Sequence, residues 1–322
     1  MRHIWVWIRQ QDGIPQKSSL EMFSAATMLS EQVTAVVLDE KGCDWGNLGA
    51  YGAERVLVLQ GTDSLYDSEA VVELLSQAFL AEKPELFLAS ADEMGREILP
   101  RLAARVQGRY EANVTKVISK DCDLVCTCPI YGGCILADIK ISGDVPCFLT
   151  VRSGAFKVPE QTNRPAAPVT VYTMESEIRD RCVSIQEVVH EITELVALED
   201  AEVIVAGGRG MGNAENFQLV QQLADILHGA VGATRPAIEE GWIPKTHQVG
   251  QSGKVVAPKL YIACGVSGAT QHVSAILDSG LIVAVNKDPD APIFQIADIG
   301  IVGDVQEILP LMIEQISRIR AT

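Results

Sequence analysis

Residues 203–213 read Val-Ile-Val-Ala-Gly-Gly-Arg-Gly-Met-Gly-Asn, and this stretch decides how the second half of the chain folds. A short apolar run leads into a glycine-rich turn, and a helical pattern from Asn213 to His228 completes a predicted strand–turn–helix unit. Such a turn lets backbone N–H groups approach an anionic ligand at the start of a helix. The spacing fails the dinucleotide fingerprint, because its third glycine would stand where Asn213 does. A purely structural turn also explains the glycines, but Arg209 inside it favours a ligand.

The rest of the second half repeats this alternation of strands and helices. Alternating β and α elements predict a parallel sheet with helices on its faces. We therefore expect a doubly wound α/β domain. Its further predicted strands are Tyr261–Ala263, Ile282–Val285 and Ile299–Val302, and its further predicted helices are Thr270–Leu277 and Val305–Arg318.

The first half shows the same alternation of strands and helices, followed by a region of strands alone. The alternation predicts a parallel sheet covered by helices. After Asn113 only strand-like runs follow. They predict an extension of the sheet in which neighbouring strands pair antiparallel. The predicted helices are Ser18–Ser30, Ala70–Ala81 and Glu93–Val106, and the predicted strands are Ile4–Ile8, Val33–Leu38, Arg55–Leu59, Leu86–Ala89, Val114–Ile118, Leu124–Pro129, Cys134–Ile141, Cys147–Arg152 and Val169–Tyr172.

A change of composition separates the two halves. Residues 161–168 are polar and contain two prolines, which marks an extended connection. The segment Ile185–Leu198 is expected to be helical or irregular, and we place the domain boundary near residue 190. This predicts an N-terminal α/β domain at 1–190 and a C-terminal domain at 191–322, in keeping with ~100–200 residues per domain.

The charge balance argues against several classes of partner. Twenty-six basic and 42 acidic residues give a formal net charge of −16, which disfavours nucleic acid and anionic membrane surfaces. The apolar runs are much shorter than the ~20 residues of a membrane-spanning helix. The N-terminal residues lack the long apolar region and cleavage site of a signal peptide. We expect a soluble, cytoplasmic protein without a membrane span.

The eight cysteines do not predict a metal site or a disulfide framework. Cys122, Cys126, Cys128 and Cys134 form one cluster, but their spacing matches neither zinc-site nor iron–sulfur motifs. Buried thiols in a reducing compartment are the interpretation that we favour. No metal ligand is therefore proposed.

Polar residues in the second half gather where the predicted strands end. Thr234 and Arg235 follow an apolar run, Asn286 closes a strand and Asp304 follows another. In open α/β sheets, ligands bind beyond the carboxyl ends of the strands. Each residue alone has a structural explanation, such as a cap or a turn, but together they predict a ligand site. Residues 250–254 look like a phosphate loop, yet they lack its first glycine and its Ser or Thr.

Two stretches of the second half carry a specific resemblance. Residues 260–272 read Leu-Tyr-Ile-Ala-Cys-Gly-Val-Ser-Gly-Ala-Thr-Gln-His, and residues 283–294 read Val-Ala-Val-Asn-Lys-Asp-Pro-Asp-Ala-Pro-Ile-Phe. The combined Gly-x-Ser-Gly-x-x-Gln-His and Asn-Lys-Asp signature resembles the α subunit of electron transfer flavoproteins. The resemblance implies a heterodimer with a β subunit and one FAD held by the C-terminal domain. It also implies electrons accepted from a dehydrogenase, such as an acyl-CoA dehydrogenase, or from NADH in a bifurcating complex, and passed to a further partner.

The resemblance also implies which residues contact FAD. It places Arg235 against the flavin ring near N5, Ser252 at the N5 side, and His272 near N1 and the C2 carbonyl. Thr234, Ser252 and Thr270 depart from the usual family residues, although the first two keep a hydroxyl. The alternative for Arg235 is an ion pair with Glu239 that never meets the cofactor. The full set implied by the resemblance is Arg209, Thr234, Arg235, Val249, Gly250, Gln251, Ser252, Ser267, Gly268, Ala269, Thr270, Gln271, His272, Asn286 and Asp304.

Two other functional classes compete with the electron carrier. A stand-alone flavin-dependent oxidoreductase would need a dinucleotide fingerprint and a catalytic acid–base pair, and the sequence shows neither. A binding or sensor module of the nucleotide-α-hydrolase type would fit the βα rhythm of the first domain, which has no phosphate-loop signature. In the electron-carrier interpretation, that nucleotide-α-hydrolase-like domain docks the β subunit by analogy of fold.

Overall fold

The computed structural model divides the chain into two compact units, Met1–His190 and Glu191–Thr322. It describes residues 3–11, 13–39, 43–61, 67–120, 123–133, 135–143, 145–173, 198 and 201–320. Cys122, Cys134 and, apart from Leu198, the predicted segment Ile185–Leu198 lie outside these residues. No helix in the described ranges is both long and apolar enough to cross a membrane.

The first unit is built from twelve strands and three α-helices within its described residues. The predicted helices and strands before residue 107 agree with the observed ones to within a few residues. The strands are β1 (Ile4–Ile8), β2 (Gln10–Gln11), β3 (Ile14–Pro15), β4 (Val33–Leu38), β5 (Arg55–Gln60), β6 (Leu86–Ser90), β7 (Arg109–Val114), β8 (Lys116–Lys120), β9 (Asp123–Ile130), β10 (Ile135–Ile141), β11 (Cys147–Val151) and β12 (Val169–Thr173), and the helices are α1 (Lys17–Thr27), α2 (Ser68–Glu82) and α3 (Glu93–Arg105).

The main sheet of this unit is parallel, and its five inner strands are buried on both faces. Its strand order is β12-β5-β4-β1-β6-β11-β7, and its neighbouring strands pair in parallel. Successive residues of β1 enter opposite cores: Val6 packs in one cluster, and Trp5 and Trp7 pack in the other. Because both faces are covered, these strands show continuous apolar runs instead of alternation.

One part of the first unit differs from the prediction. The predicted strand Val114–Ile118 is two strands, because β7 ends at Val114 in the main sheet and β8 begins at Lys116. Strands β8, β9 and β10 form a separate antiparallel sheet, as expected. Strand β11 instead pairs in parallel with β6 and β7. An apolar run shows that a segment is a strand but not which neighbour it pairs with, so the sequence could not separate the two sheets.

The second unit contains a five-stranded parallel sheet in the described residues. Its order is β14-β13-β15-β16-β17, which confirms the doubly wound architecture. Strand β13 lies between the next two strands of the chain, so the strand order reverses there. Its strands are β13 (Val203–Gly207), β14 (Ala230–Ala233), β15 (Leu260–Cys264), β16 (Ile282–Asn286) and β17 (Ile299–Val302), and its helices are α4 (Phe217–Leu227), α5 (Arg235–Glu239), α6 (Thr270–Val273) and α7 (Val305–Arg320).

Two predicted helices of this unit are shorter than expected. Helix α4 begins at Phe217 and not at Asn213, because Asn216 folds back on the turn: its Nδ2 donates to the Met211 carbonyl at 2.5 Å. Asn213 in turn accepts from the Asn216 backbone N–H at 2.9 Å. Helix α6 is a single turn that ends at Val273, well before the predicted Leu277. Helix α5 was not predicted at all.

The glycines after β13 permit a close contact between two loops at the point where the strand order reverses. The N–H of Gly208 donates to Cys264 O, and the N–H of Gly210 donates to Gly265 O, both at 2.9 Å. A Cβ on Gly208 would lie 2.4 Å from Gly265 O. Glycine is required at this position because any side chain would push the two backbones apart.

This contact predicts the effect of Gly208→Ala. Because the added methyl meets backbone and not a mobile side chain, we expect a loss of about 1–3 kcal/mol in the free energy of unfolding. Gly241→Ala is the control: its Cβ meets nothing within 4 Å, and it carries only the strain of a positive φ, about 1 kcal/mol. Urea unfolding measures both, and a smaller loss for Gly208→Ala than for Gly241→Ala would contradict the packing argument.

Candidate functional site

A cavity of about 820 Å³ opens at the carboxyl edge of the second sheet. Its volume falls in the range of small-molecule and cofactor sites, about 300–1,000 Å³. The loops after all five strands of this sheet contribute to it, as expected for the edge where the strand order reverses. Among the residues named from the sequence, those that line it are Arg209, Thr234, Arg235, Val249, Gly250, Gln251, Ser252, Ser267, Ala269, Gln271, His272, Asn286 and Asp304.

Two of the predicted residues do not line this cavity. Gly268 has φ +87°, and a Cβ on it would lie 2.2 Å from the backbone N of Ile293, so its position serves loop packing. Thr270 is exposed at the first position of α6. Sequence reasoning missed other lining residues, most of them direct neighbours of predicted ones, which was the signal available: Gly210, Pro236, Gln248, Gly265, Val266, Lys287, Asp288, Ala291, Pro292 and Val305.

Thr234 is the residue that points most directly to a ligand. It is 7% exposed at the end of β14, and among the described residues its hydroxyl oxygen has no hydrogen-bond partner. A buried polar atom without a partner costs about 1–3 kcal/mol. A ligand that hydrogen-bonds this hydroxyl would remove that cost.

The loop at residues 248–254, which we name the wall loop, forms one side of the cavity. Its Val249 N–H donates to Ala233 O at 2.9 Å, and its Gln251 N–H donates to Gln271 O at 2.8 Å. Within the loop, Gln248 Nε2 donates to Ser252 Oγ at 2.8 Å. Since Ser252 accepts this bond, its own O–H remains available to donate toward the cavity.

His272 lies on the cavity wall with both ring nitrogens engaged by the protein. Nδ1 is 3.0 Å from Val249 O, and Nε2 is 2.9 Å from the Tyr261 hydroxyl. Burial lowers the pKa of His272 to about 4, so the ring is neutral near pH 7. The placement implied by the resemblance, near N1 and the C2 carbonyl of a flavin, stays a prediction, and the cavity-wall position of His272 is compatible with it.

Arg235 both lines the cavity and pairs with Glu239. Its Nε lies 2.7 Å from Glu239 Oε1, one helical turn along α5, and both side chains are more than half exposed. Exposed pairs at this spacing contribute only about 0.3–0.5 kcal/mol. The ion pair considered from the sequence is thus present, but it is too weak to keep the guanidinium from a ligand.

Asn286 and Asp304 each hold their own loop in place. Asn286 Nδ2 donates to Val266 O at 2.8 Å, and its Oδ1 accepts from the Asp288 N–H at 3.0 Å. Asp304 Oδ1 accepts from the Gln306 N–H at 2.9 Å and so caps α7. Each side chain keeps further hydrogen-bonding capacity, and both face the cavity.

The side chains on the cavity wall are suited to binding a polar ligand. In the described ranges no group of acidic, His or Cys side chains is arranged to hold a metal ion. On the cavity wall, His272 is the described residue with a shifted pKa, and the shift makes it a poor proton donor. The wall offers guanidinium groups, hydroxyls and amides that suit a large polar ligand.

Comparisons with known proteins agree with this chemistry. Residues 4–177 match the electron transfer flavoprotein domain, and residues 197–277 match the electron transfer flavoprotein FAD-binding domain. An electron transfer flavoprotein subunit alpha of Thermoanaerobacterium thermosaccharolyticum is 38% identical, covering 99% of both chains. Protein FixB of Clostridium saccharobutylicum is 38% identical over 98% of this chain and 96% of its own. An acryloyl-CoA reductase electron transfer subunit beta of Anaerotignum propionicum is 35% identical over 98% and 95%. The chain therefore belongs to the electron transfer flavoprotein alpha-subunit family, and its second half carries that family's FAD-binding domain.

Proposed function

We propose that the cavity of the second unit holds FAD through the residues that line it, and that this chain works as one half of a heterodimer with a β subunit. The unpartnered hydroxyl of Thr234 carries the cofactor part of the proposal, because it marks a buried hydrogen-bonding position on the cavity wall. The cavity volume and the five contributing loops support a ligand of dinucleotide size.

The residues on the wall fit the three parts of FAD. Arg209, in the glycine-rich turn, supplies a permanent positive charge for the pyrophosphate. The Asp304 carboxylate is an acceptor, which suits ribose or adenine donors and not a phosphate. Thr234 and Ser252 offer hydroxyls for the polar edge of the flavin ring. When bound, FAD supplies reversible acceptance and release of one or two electrons.

Arg235 adjusts the environment in which those electrons are held. Its guanidinium is always protonated and reaches the cavity from the end of β14. A positive charge beside a group that gains negative charge on reduction makes that reduction more favourable. Glu239 opposes this effect because its carboxylate partly neutralises Arg235.

The partner assignments rest on the relatives and on the surface of the first unit. Two of the three relatives are named as electron transfer subunits, and one of these two belongs to an acryloyl-CoA reductase. On the hairpin of β9 and β10, Tyr131 is 79% exposed and Leu136 is 65% exposed, a surface suited to another protein. We propose that unit 1–190 docks the β subunit and that a dehydrogenase of the acyl-CoA class supplies the electrons. The comparisons give no support to a stand-alone oxidoreductase.

Purification with and without the β subunit tests the heterodimer. Co-expressed with its β subunit, the chain should purify as a one-to-one complex with flavin absorption bands that are bleached by reductant. Expressed alone, it should aggregate or lose FAD, because the apolar docking surface is uncovered. A stable monomer that retains stoichiometric FAD would contradict the heterodimer while leaving the FAD site intact.

Thr234→Val separates the ligand role of Thr234 from a structural one. The change keeps the shape but removes the unpartnered hydroxyl, so the FAD-free protein should be as stable as wild type or more stable. FAD binding should weaken roughly ten-fold, as expected for one lost hydrogen bond of about 1.4 kcal/mol. Thr234→Ser is the matched control and should retain affinity. Equal FAD dissociation constants for all three proteins would remove Thr234 from the site.

Replacement of Arg235 tests its electrostatic role, and the quantity measured is the reduction potential of the bound FAD. Arg235→Gln should lower the FAD midpoint potential by tens of millivolts, since about 1.4 kcal/mol corresponds to about 60 mV for one electron. Glu239→Gln is the matched control and should leave the potential unchanged or raise it, because it frees the Arg235 charge. If Arg235 interacts with Glu239 alone, spectroelectrochemical titration of both variants will match wild type.

A further inference from the structure

The cavity wall is connected to the core of the sheet by a chain of two hydrogen bonds. Tyr261 lies in β15 with its side chain fully buried, and its hydroxyl is 2.9 Å from His272 Nε2. The other ring nitrogen of His272 is 3.0 Å from the carbonyl of Val249, which belongs to the wall loop. Tyr261 itself is not among the residues that line the cavity.

The chemistry of the partners fixes the proton positions in this chain. A carbonyl oxygen can only accept, so Nδ1 of His272 carries the proton and donates to Val249 O. Nε2 of the neutral ring is then an acceptor, and the Tyr261 hydroxyl donates to it. Each end of the imidazole is held by a different element, which fixes both the ring plane and the tautomer.

Burial keeps both groups in these protonation states. It lowers the pKa of His272 to about 4 and raises the pKa of Tyr261 well above its usual value. Near neutral pH the ring therefore stays neutral and the phenol stays protonated. The arrangement is a fixed support and not a proton relay.

The hydrogen-bonded pair of Tyr261 and His272 contacts the wall loop at a part that lines the cavity. Val249 lies in this loop next to Gly250, Gln251 and Ser252, which all line the cavity. The Val249 N–H is bonded to Ala233 O in β14, while its carbonyl is bonded to His272. Loss of the carbonyl contact would leave Val249 held by its N–H bond alone, and the bond from Gln251 N–H to Gln271 O would be the remaining tie between the wall loop and α6.

We infer that Tyr261 is a positioning residue of the cofactor site, which acts through His272 to hold the wall loop against the bound FAD. The inference rests on the proposed FAD site and adds to it a residue in the core of the sheet. It also assigns His272 a structural role, as the link between Tyr261 and Val249.

Tyr261→Phe in the complex with the β subunit tests the inference. Without the hydroxyl, Nε2 of His272 loses its donor, and the imidazole no longer has a fixed orientation. We expect backbone amides of residues 248–254 to exchange with deuterium roughly 5–10-fold faster, and FAD to be released faster by a similar factor, as for one lost hydrogen bond. The visible absorption bands of bound FAD should shift, because the wall against it moves.

Two further variants separate positioning from general loss of stability. Tyr110→Phe removes a comparable hydroxyl contact, to Thr150 Oγ1 at 3.0 Å in the first unit, and should leave wall-loop exchange and the FAD spectrum unchanged. In a His272→Leu background, which has no hydrogen-bonding group at this position, Tyr261→Phe should not accelerate the exchange further, because the two residues act in one chain.

Two results would overturn the inference. One is wild-type exchange at residues 248–254 in Tyr261→Phe, and the other is an undiminished effect of Tyr261→Phe in the His272→Leu background. Failure of the proposed function is a different result: the wild-type complex would retain no FAD. The exchange of the wall-loop amides in that same protein would still test the role of Tyr261.

Discussion

The close approach of two backbone turns organises the second unit. The turn after β13 and the turn after β15 meet at Gly208, Gly210 and Gly265, with hydrogen bonds that leave no room for side chains. This contact lies where the strand order reverses. The five loops that line the cavity extend from the same edge of the sheet. The glycines of this turn are therefore required first for packing. A ligand can bind in the space that this packing leaves beyond the ends of the strands.

The polar groups around the cavity divide into supports and contacts. Asn286 and Asp304 use hydrogen bonds to hold their own loops, and His272 uses one to hold the wall loop. Thr234 makes no such bond among the described residues, and the Ser252 hydroxyl keeps its proton free. This division matters because a preformed site loses less conformational entropy on binding, and the supports are what make it preformed.

The first unit is also built on a parallel sheet, but polar side chains at the carboxyl edge of that sheet make different contacts. Among the residues described at that edge, Arg9 pairs with Asp92 at 3.1 Å, and Glu21 accepts from the Gly154 N–H at 2.8 Å. Asp39 accepts from the Trp45 indole N–H at 2.7 Å. A parallel sheet provides an edge for ligands, but the loops decide whether ligands or the protein's own side chains fill it.

Local sequence patterns were enough to establish the fold class of each half and the approximate position of the site. Apolar runs and helical periodicity identified β1, β4 and β13, and strand ends indicated Thr234, Asn286 and Asp304, because these signals are local in the chain. Only the tertiary structure decided that β7 and β8 belong to different sheets, that Gly268 packs under a loop, and that Tyr261 supports His272. Those features depend on which distant segments meet, and a pattern along one segment carries no information about the partner that packing brings to it.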